Sequence, residues 1–274
     1  MDKIEKFENA LIHHGKYSDR LYILKFPEDG DSKLVVSLTN AAIKKGYSKV
    51  IGKIRVKLLP LFIDQGYEVE TMVPKFFNGT DDCCFVSKFI DQRRAIFDNE
   101  ALKVFSDLNA HYTIKSNDNV PVDISIRELT QADTTEMASV YRLVFETYPF
   151  PIFEEEYLVE TMQNNVIYFG AFQNGKLLCI SSSEMDVESQ NAEMTDFAAL
   201  NEARGLGLSK ILLHEMEGLM QAKGIKTLYT IARLKSIPMN KTFLGAGYRY
   251  AGTLINNTNI SGGIESMNIL YKYT

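Results

Sequence analysis

The sequence predicts an α/β protein, an α+β arrangement on mixed sheets, in two parts. Three observations carry that expectation. Short segments with alternating apolar residues recur between segments of helical period. The dipeptide Asn174-Gly175 separates two such strands, the strongest short signal for a hairpin. A third strand, "AEMTDFAAL", runs through Arg204-Gly205-Leu206-Gly207 directly into a helical pattern.

The elements follow in order. Within residues 91–110, "DQRRAIFDNEALKVFSDLNA", Ile96, Leu102, Val104, Phe105 and Leu108 stand at helical spacing, and the polar, proline-closed "KSNDNVP" after them marks a boundary. This divides the chain into a smaller α/β domain with a linker helix over 1–115 and a second domain over 120–274. In the second, "DISIRELT" alternates as a strand, Asp133 is placed to cap a helix through about Thr147, "YPFP" is a rigid loop, and "FEEEYLVETM" reads as a short helix. "VIYFGAFQ" and "KLLCISSSEM" are the hairpin strands. After the glycine junction, Leu208, Ile211, Leu212, Met216 and Leu219 keep a helical period to a C-cap at Gly224. "KTLYTIAR" is a strand, Ser236 and Pro238 suit a helix start, Gly245-Ala246-Gly247 closes that helix, and "YRYAGTL" and "IESMNILYKY" end the chain as strands. The order is β-α-α-β-β-β-α-β-α-β-β.

Composition narrows the function. The 274 residues are 45% hydrophobic and 24% charged, as in a folded globular chain with length for two modest domains. A net charge of −5 argues against nucleic acid as a partner, because no basic stripe is present to displace counterions. No segment has the uninterrupted apolar length of a signal peptide core or a membrane span, so a cytoplasmic protein without a membrane partner is expected. Cys83 and Cys84 are adjacent and Cys179 is isolated, which disfavours disulfides. His13, His14, His111 and His214 show no ligand spacing, so no metal is expected. No serine sits in a G-x-S-x-G turn.

Glycines at the mouth of a helix suggest a ligand there. The first turn carries unpaired N–H groups and the positive end of the helix dipole, so an anion, most often phosphate, is the natural occupant. A bare Gly-x-Gly also suits an ordinary strand-to-helix turn, and the surrounding sequence has to decide.

The element order and the run "TDFAALNEARGLGLSKILL" resemble the GCN5-related N-acetyltransferases (GNAT), which carry a strand, then R/Q-x-x-G-x-G/A, then a long helix. The pattern reads from Arg204 to Ser209, with Ser209 where glycine or alanine is usual; a register from Glu202 to Gly207 would lose the basic residue. The resemblance covers about residues 122–274. It implies acetyl-CoA as cosubstrate, with Phe197, Ala198 and Ala199 along the pantetheine arm and Arg204, Gly205, Leu206, Gly207, Leu208 and Ser209 around the pyrophosphate. More narrowly, "YPFPIF", "AEMTDFA", "MNKTFLGAGYRYAGTL" and "IESMNILYK" resemble the β-lysine N-acetyltransferases, which make a compatible solute. That implies a small-molecule amine as partner, and a monomer or homodimer.

Transfer to an amine that is protonated at neutral pH needs a base. Glu193 resembles the glutamate that some relatives use. Alternation puts Glu193 and Asp196 on opposite strand faces, so only one is expected to face the substrate. The tyrosine that often protonates the departing thiolate is replaced by Phe243, leaving Tyr248, Tyr250 or water. Tyr148 and Phe150 lie in the expected substrate loop, and Arg142 and Arg233 are candidates to grip a carboxylate. A polyamine or protein-lysine acetyltransferase, and a non-catalytic acyl-CoA-binding module, remain as alternatives.

"AAIKKGYSKVIGKIRVKLLPLFIDQGYEVE" and "GLMQAKGIKTLYTIARLKSIPMNKTFLGAGYRYA" both read helix, Lys-Gly, strand, helix, Gly-Tyr, strand. The first copy lacks the phosphate loop, its helix being preceded by the acidic "FPEDGDSKL". Either a degenerate GNAT-like half or convergent patterning would give this match. A packing or lid role is expected for the first domain.

Overall fold

The computed structural model describes residues 2–113 and 123–274, so the boundary expected at "KSNDNVP" lies outside the described residues. The first part holds β1 (Lys3–Phe7), β2 (Ala10–Gly15), β3 (Arg20–Lys25), α1 (Ser32–Lys44), β4 (Lys49–Arg55), α2 (Leu59–Ile63), β5 (Glu68–Phe77), β6 (Asp81–Phe89) and α3 (Asn99–His111). The second holds β7 (Ile124–Glu128), α4 (Thr134–Val144), α5 (Glu155–Gln163), β8 (Val166–Gln173), β9 (Lys176–Asp186), β10 (Asn191–Ala199), α6 (Leu208–Ala222), β11 (Thr227–Arg233), α7 (Ile237–Gly245), β12 (Arg249–Ile260) and β13 (Gly263–Tyr273).

Two sheets result, ordered β1-β2-β3-β4-β6-β5 and β12-β13-β11-β10-β9-β8-β7. From β8 onward the second repeats the order of the first. Among the described residues each sheet has one parallel pair, β3 with β4 and β10 with β11, amid antiparallel neighbours. The correspondence extends to the irregularities. Bulges fall at Val69/Thr71 and Val73/Phe77 in β5, and at Tyr250/Gly252 and Leu254/Thr258 in β12. Arg55 pairs with Asp81 at 2.7 Å, and at the equivalent ladder position Arg233 pairs with Glu265 at 2.6 Å.

The copies differ at the helix start. Asp31 caps α1, its carboxylate accepting from the Leu34 N–H at 3.0 Å, whereas α6 begins at Gly207 with no side-chain cap. A carboxylate therefore already fills the anion position in the first copy.

Three hydrophobic clusters hold the layers. One lies beneath α1 and α2, around Leu38, Val50 and Phe62. A second packs α6 and α7 on the second sheet through Leu212, Met216 and Phe243. The third joins the two parts: Tyr22, Phe76 and Phe85 meet Tyr141, Tyr168 and Leu254. At that junction Lys49 and Glu70, 0% and 4% exposed, pair at 2.9 Å. They also bind the β12 backbone, Lys49 donating to the Ile255 carbonyl at 2.7 Å and Glu70 accepting from the Ile255 N–H at 2.6 Å. Asn256, with a φ of 41°, makes the bulge that turns these groups toward β4.

Local details depart from expectation. Thr130, through a capping box with Asp133, starts the turn that leads into α4. That helix stops at Val144, because Phe145 turns extended and its ring meets Tyr148 at 4.8 Å. Residues 91–110 form a short 3-10 turn, Gln92–Ala95, and then α3, capped by Asp98. Strands β1 to β3 were not expected as such.

Candidate active site

The β10 strand is the axis of the site. Its parallel ladder to β11 covers only Asn191, Ala192 and Glu193, while its antiparallel ladder to β9 continues to Ala199. Beyond Glu193 the two parallel strands part, leaving one edge of β10 unpaired. A bulge between Thr195 and Ala198 places Asp196 at a φ of 54°, a conformation that costs a non-glycine residue energy.

This bulge corrects the face assignment. Strict alternation separates Glu193 from Asp196, but the inserted residue brings both into one cavity of about 380 Å³ between the two sheets. Glu193 lies directly opposite Glu184 in the ladder to β9 and Tyr229 in the ladder to β11. Burial, then the charge of Glu184, pushes its carboxyl up to about 8. Asp196 accepts from the Tyr148 hydroxyl at 2.5 Å and from Ser182 Oγ at 2.6 Å. Burial raises its carboxyl too, against those hydrogen bonds. Phe150 lines the same cavity, its ring 4.6 Å from that of His13.

Next to the splay lies the glycine loop. Gly205 and Gly207 have φ of 82° and 70°, and a Cβ on either would meet nothing within 4 Å. The glycines are needed for backbone conformation, and the space beside them is open. The N–H groups of Lys210 and Ile211 bond back to the Gly207 carbonyl. Among the described residues nothing accepts from those of Gly205, Gly207, Leu208 and Ser209. Arg204 and Leu206 complete the connection. This cradle of free amides at an uncapped helix start fits a pyrophosphate. Along β10, Ala198 is buried, while Phe197 and Ala199 are half-buried, with Phe197 edge-on to Phe243 at 5.5 Å.

Three sequence candidates lie elsewhere. Tyr248 does not line the cavity; its N–H bonds the Phe243 carbonyl and its ring packs behind Phe243, 5.0 Å away, in the core under α6. Arg233 is occupied by a fork to Glu265, at 3.0 and 2.6 Å, and by Ser261. Arg142 is exposed and donates to the Phe153 carbonyl, bracing the loop before α5. The basic residues that line the cavity come instead from strands of the first sheet: Arg20, Lys25 and Lys53. A charged residue within an apolar strand, as in "RLYILK", was the signal available for Arg20.

Among the described residues no cluster of three or more His, Cys, Asp or Glu side chains is arranged for a metal, and no helix is long and apolar enough to cross a membrane.

The splayed strands, the glycine cradle and the carboxylate-lined cavity agree with the comparisons: the chain belongs to the GNAT family of acetyltransferases, residues 136–245 matching the Acetyltransferase (GNAT) family. It is an acetyl-CoA-dependent N-acetyltransferase. It is 40% identical over 276 residues to the beta-lysine N(6)-acetyltransferase of Methanococcus maripaludis, covering 99% of each chain. To N-acetyltransferase YodP of Bacillus subtilis it is 28% identical over 264 residues, 96% of this chain and 95% of that one. To the beta-lysine N(6)-acetyltransferase of Methanosarcina mazei it is 37% identical over 155 residues, 57% of each.

Proposed function

We propose that the chain acetylates the distal amine of β-lysine, with Glu193 as the base. Acetyl-CoA supplies the acetyl group, and Arg204 to Ser209 would hold its pyrophosphate. The observation that carries the reading is Glu193 at the point where β10 and β11 part, facing the cavity with its carboxyl at about 8. A lysine-type ammonium has a pKa of about 10.4, so the attacking nitrogen must lose a proton, and a carboxylate poised near the working pH accepts it directly or through one water. The carboxylates of Glu184, Glu193 and Asp196 give the cavity an environment suited to an ammonium group. Similarity along the whole length to the M. maripaludis enzyme supports β-lysine as that amine.

The test is release of CoA by the purified protein with β-lysine, lysine, spermidine and a lysine peptide, with mass spectrometry locating the acetyl group. Highest kcat/KM with β-lysine and acetylation at its distal nitrogen are expected. Preference for spermidine or the peptide, or no turnover of any amine, would overturn the proposal.

A further inference from the structure

We infer that Arg20, on the first domain's β3 strand, receives the carboxylate of the substrate, so that this domain supplies the half of the site that selects amino acids over plain polyamines. The inference rests on the amine-acetyltransferase reading above.

Arg20 is 3% exposed and lines the cavity. A buried guanidinium ordinarily has a counter-charge, since an isolated charge away from water is costly. Here, among the described residues, no carboxylate lies within ion-pair distance of it. One nitrogen donates to the Asn257 carbonyl at 3.0 Å, the guanidinium carbon lies 5.0 Å from the centre of the Tyr22 ring, and Nε has no acceptor. Asp2, the nearby acid of the first domain, spends its oxygens on the N–H groups of Tyr17 and Ser18, at 3.0 and 2.9 Å. Burial lowers the guanidinium to about 10, which leaves it charged at neutral pH.

The other cations on this wall are engaged. Lys25 pairs with Glu188 at 2.9 Å, and Lys53 donates to the Tyr229 hydroxyl at 2.9 Å beside Glu193. Arg20 therefore has both the spare donor and the fork geometry that a carboxylate takes up. The repeated fold explains its placement. Arg20 opens the parallel pair of the first sheet, opposite Lys49, as Asn191 opens that of the second, opposite Thr227, and both Arg20 and Asn191 line the cavity. One wall thus carries an unpaired cation and the other carries Glu184, Glu193 and Asp196. A substrate with a carboxylate at one end and an amine at the other matches that polarity. A polyamine would place an ammonium beside Arg20.

The experiment compares kcat and KM for β-lysine and for 1,4-diaminopentane, the same chain without its carboxylate, in the wild type, Arg20→Gln and Arg20→Lys. The wild type is expected to favour β-lysine. Arg20→Gln should raise KM for β-lysine by about 10- to 100-fold, the range for a lost hydrogen bond between charged groups, with kcat changed much less and kcat/KM for the diamine not lowered. Arg20→Lys should fall between, and it decides the question if the glutamine variant does not fold. An unchanged ratio of kcat/KM for the two substrates, or a wild type indifferent to the carboxylate, overturns the role of Arg20. A wild type that acetylates no amine overturns the underlying reading instead.

Discussion

The hydroxyl of Tyr148 donates a 2.5 Å hydrogen bond to Oδ1 of Asp196. Since Ser182 donates to Oδ2 at 2.6 Å, Asp196 ties the loop that carries Tyr148 to the bulge of β10, and both of its oxygens are committed to protein donors that hold this geometry. Asp196→Asn and Tyr148→Phe should therefore lower kcat by only about 10-fold or less, below the usual effect of removing a general base. Both should keep an inflection from Glu193 in kcat/KM between pH 6 and about 10; Tyr148→Phe leaves it in place, and Asp196→Asn moves it down, because the charge of Asp196 helps to raise the Glu193 carboxyl.

Glu193→Gln should lower kcat by about 10²- to 10⁴-fold while leaving acetyl-CoA affinity intact. With the carboxyl at about 8, wild-type kcat/KM should climb until about pH 8 as the base ionises. The variant should lack that inflection and recover part of its activity at alkaline pH, where the amine arrives neutral. Normal turnover of the variant at pH 7 would remove Glu193 from the mechanism.

The same shift predicts a stability signature. A carboxyl at about 8 in the folded state and near 4.5 in the unfolded chain makes the folded state bind more protons between those values. Stability then falls as pH rises through that window. Replacing Glu193 by glutamine removes the penalty, so the Tm difference between Glu193→Gln and wild type should grow from pH 5 to about 8 and level off above. Thermal unfolding at several pH values measures it, and a constant difference would show that the Glu193 shift is absent.

Gly207→Val should weaken CoA binding strongly, read by calorimetry. A valine at a φ of 70° is strained by about 1–2 kcal/mol or more, and its side chain would stand in the open space beside the free amides. Gly218→Ala is the control: a Cβ there also meets nothing within 4 Å, but the residue lies inside α6. It should stabilise the protein by about 0.5–1 kcal/mol without altering CoA affinity.

Lys49→Met should destabilise by about 3–5 kcal/mol, because it leaves the buried Glu70 carboxylate without its partner. Denaturant titration would read the loss. A variant as stable as wild type would show that Glu70 is neutralised some other way.

Most of the second sheet and its helices was legible because the signals are local. The Asn174-Gly175 hairpin, the helical period after Gly207 and the Gly-Tyr returns each occupy a few consecutive residues. The repeat was legible in the same way, from Lys-Gly and Gly-Tyr at matching places. Errors came where one residue breaks a period. The extra residue in β10 undid the alternation that separated Glu193 from Asp196, and the extended Phe145 ended α4 early.

The family, the glycine junction that opens α6 and the place of Glu193 on β10 could be read from the chain alone, since a glycine junction and a strand motif keep their meaning wherever the strand lies. The composition of the cavity could not. Arg20 meets Asn257 across 237 positions of sequence, and Arg233, equally plausible as a letter, is spent on Glu265. Which cation stays unpaired depends on which strands face each other, and that is decided by packing between the two sheets, not by any periodicity within one strand.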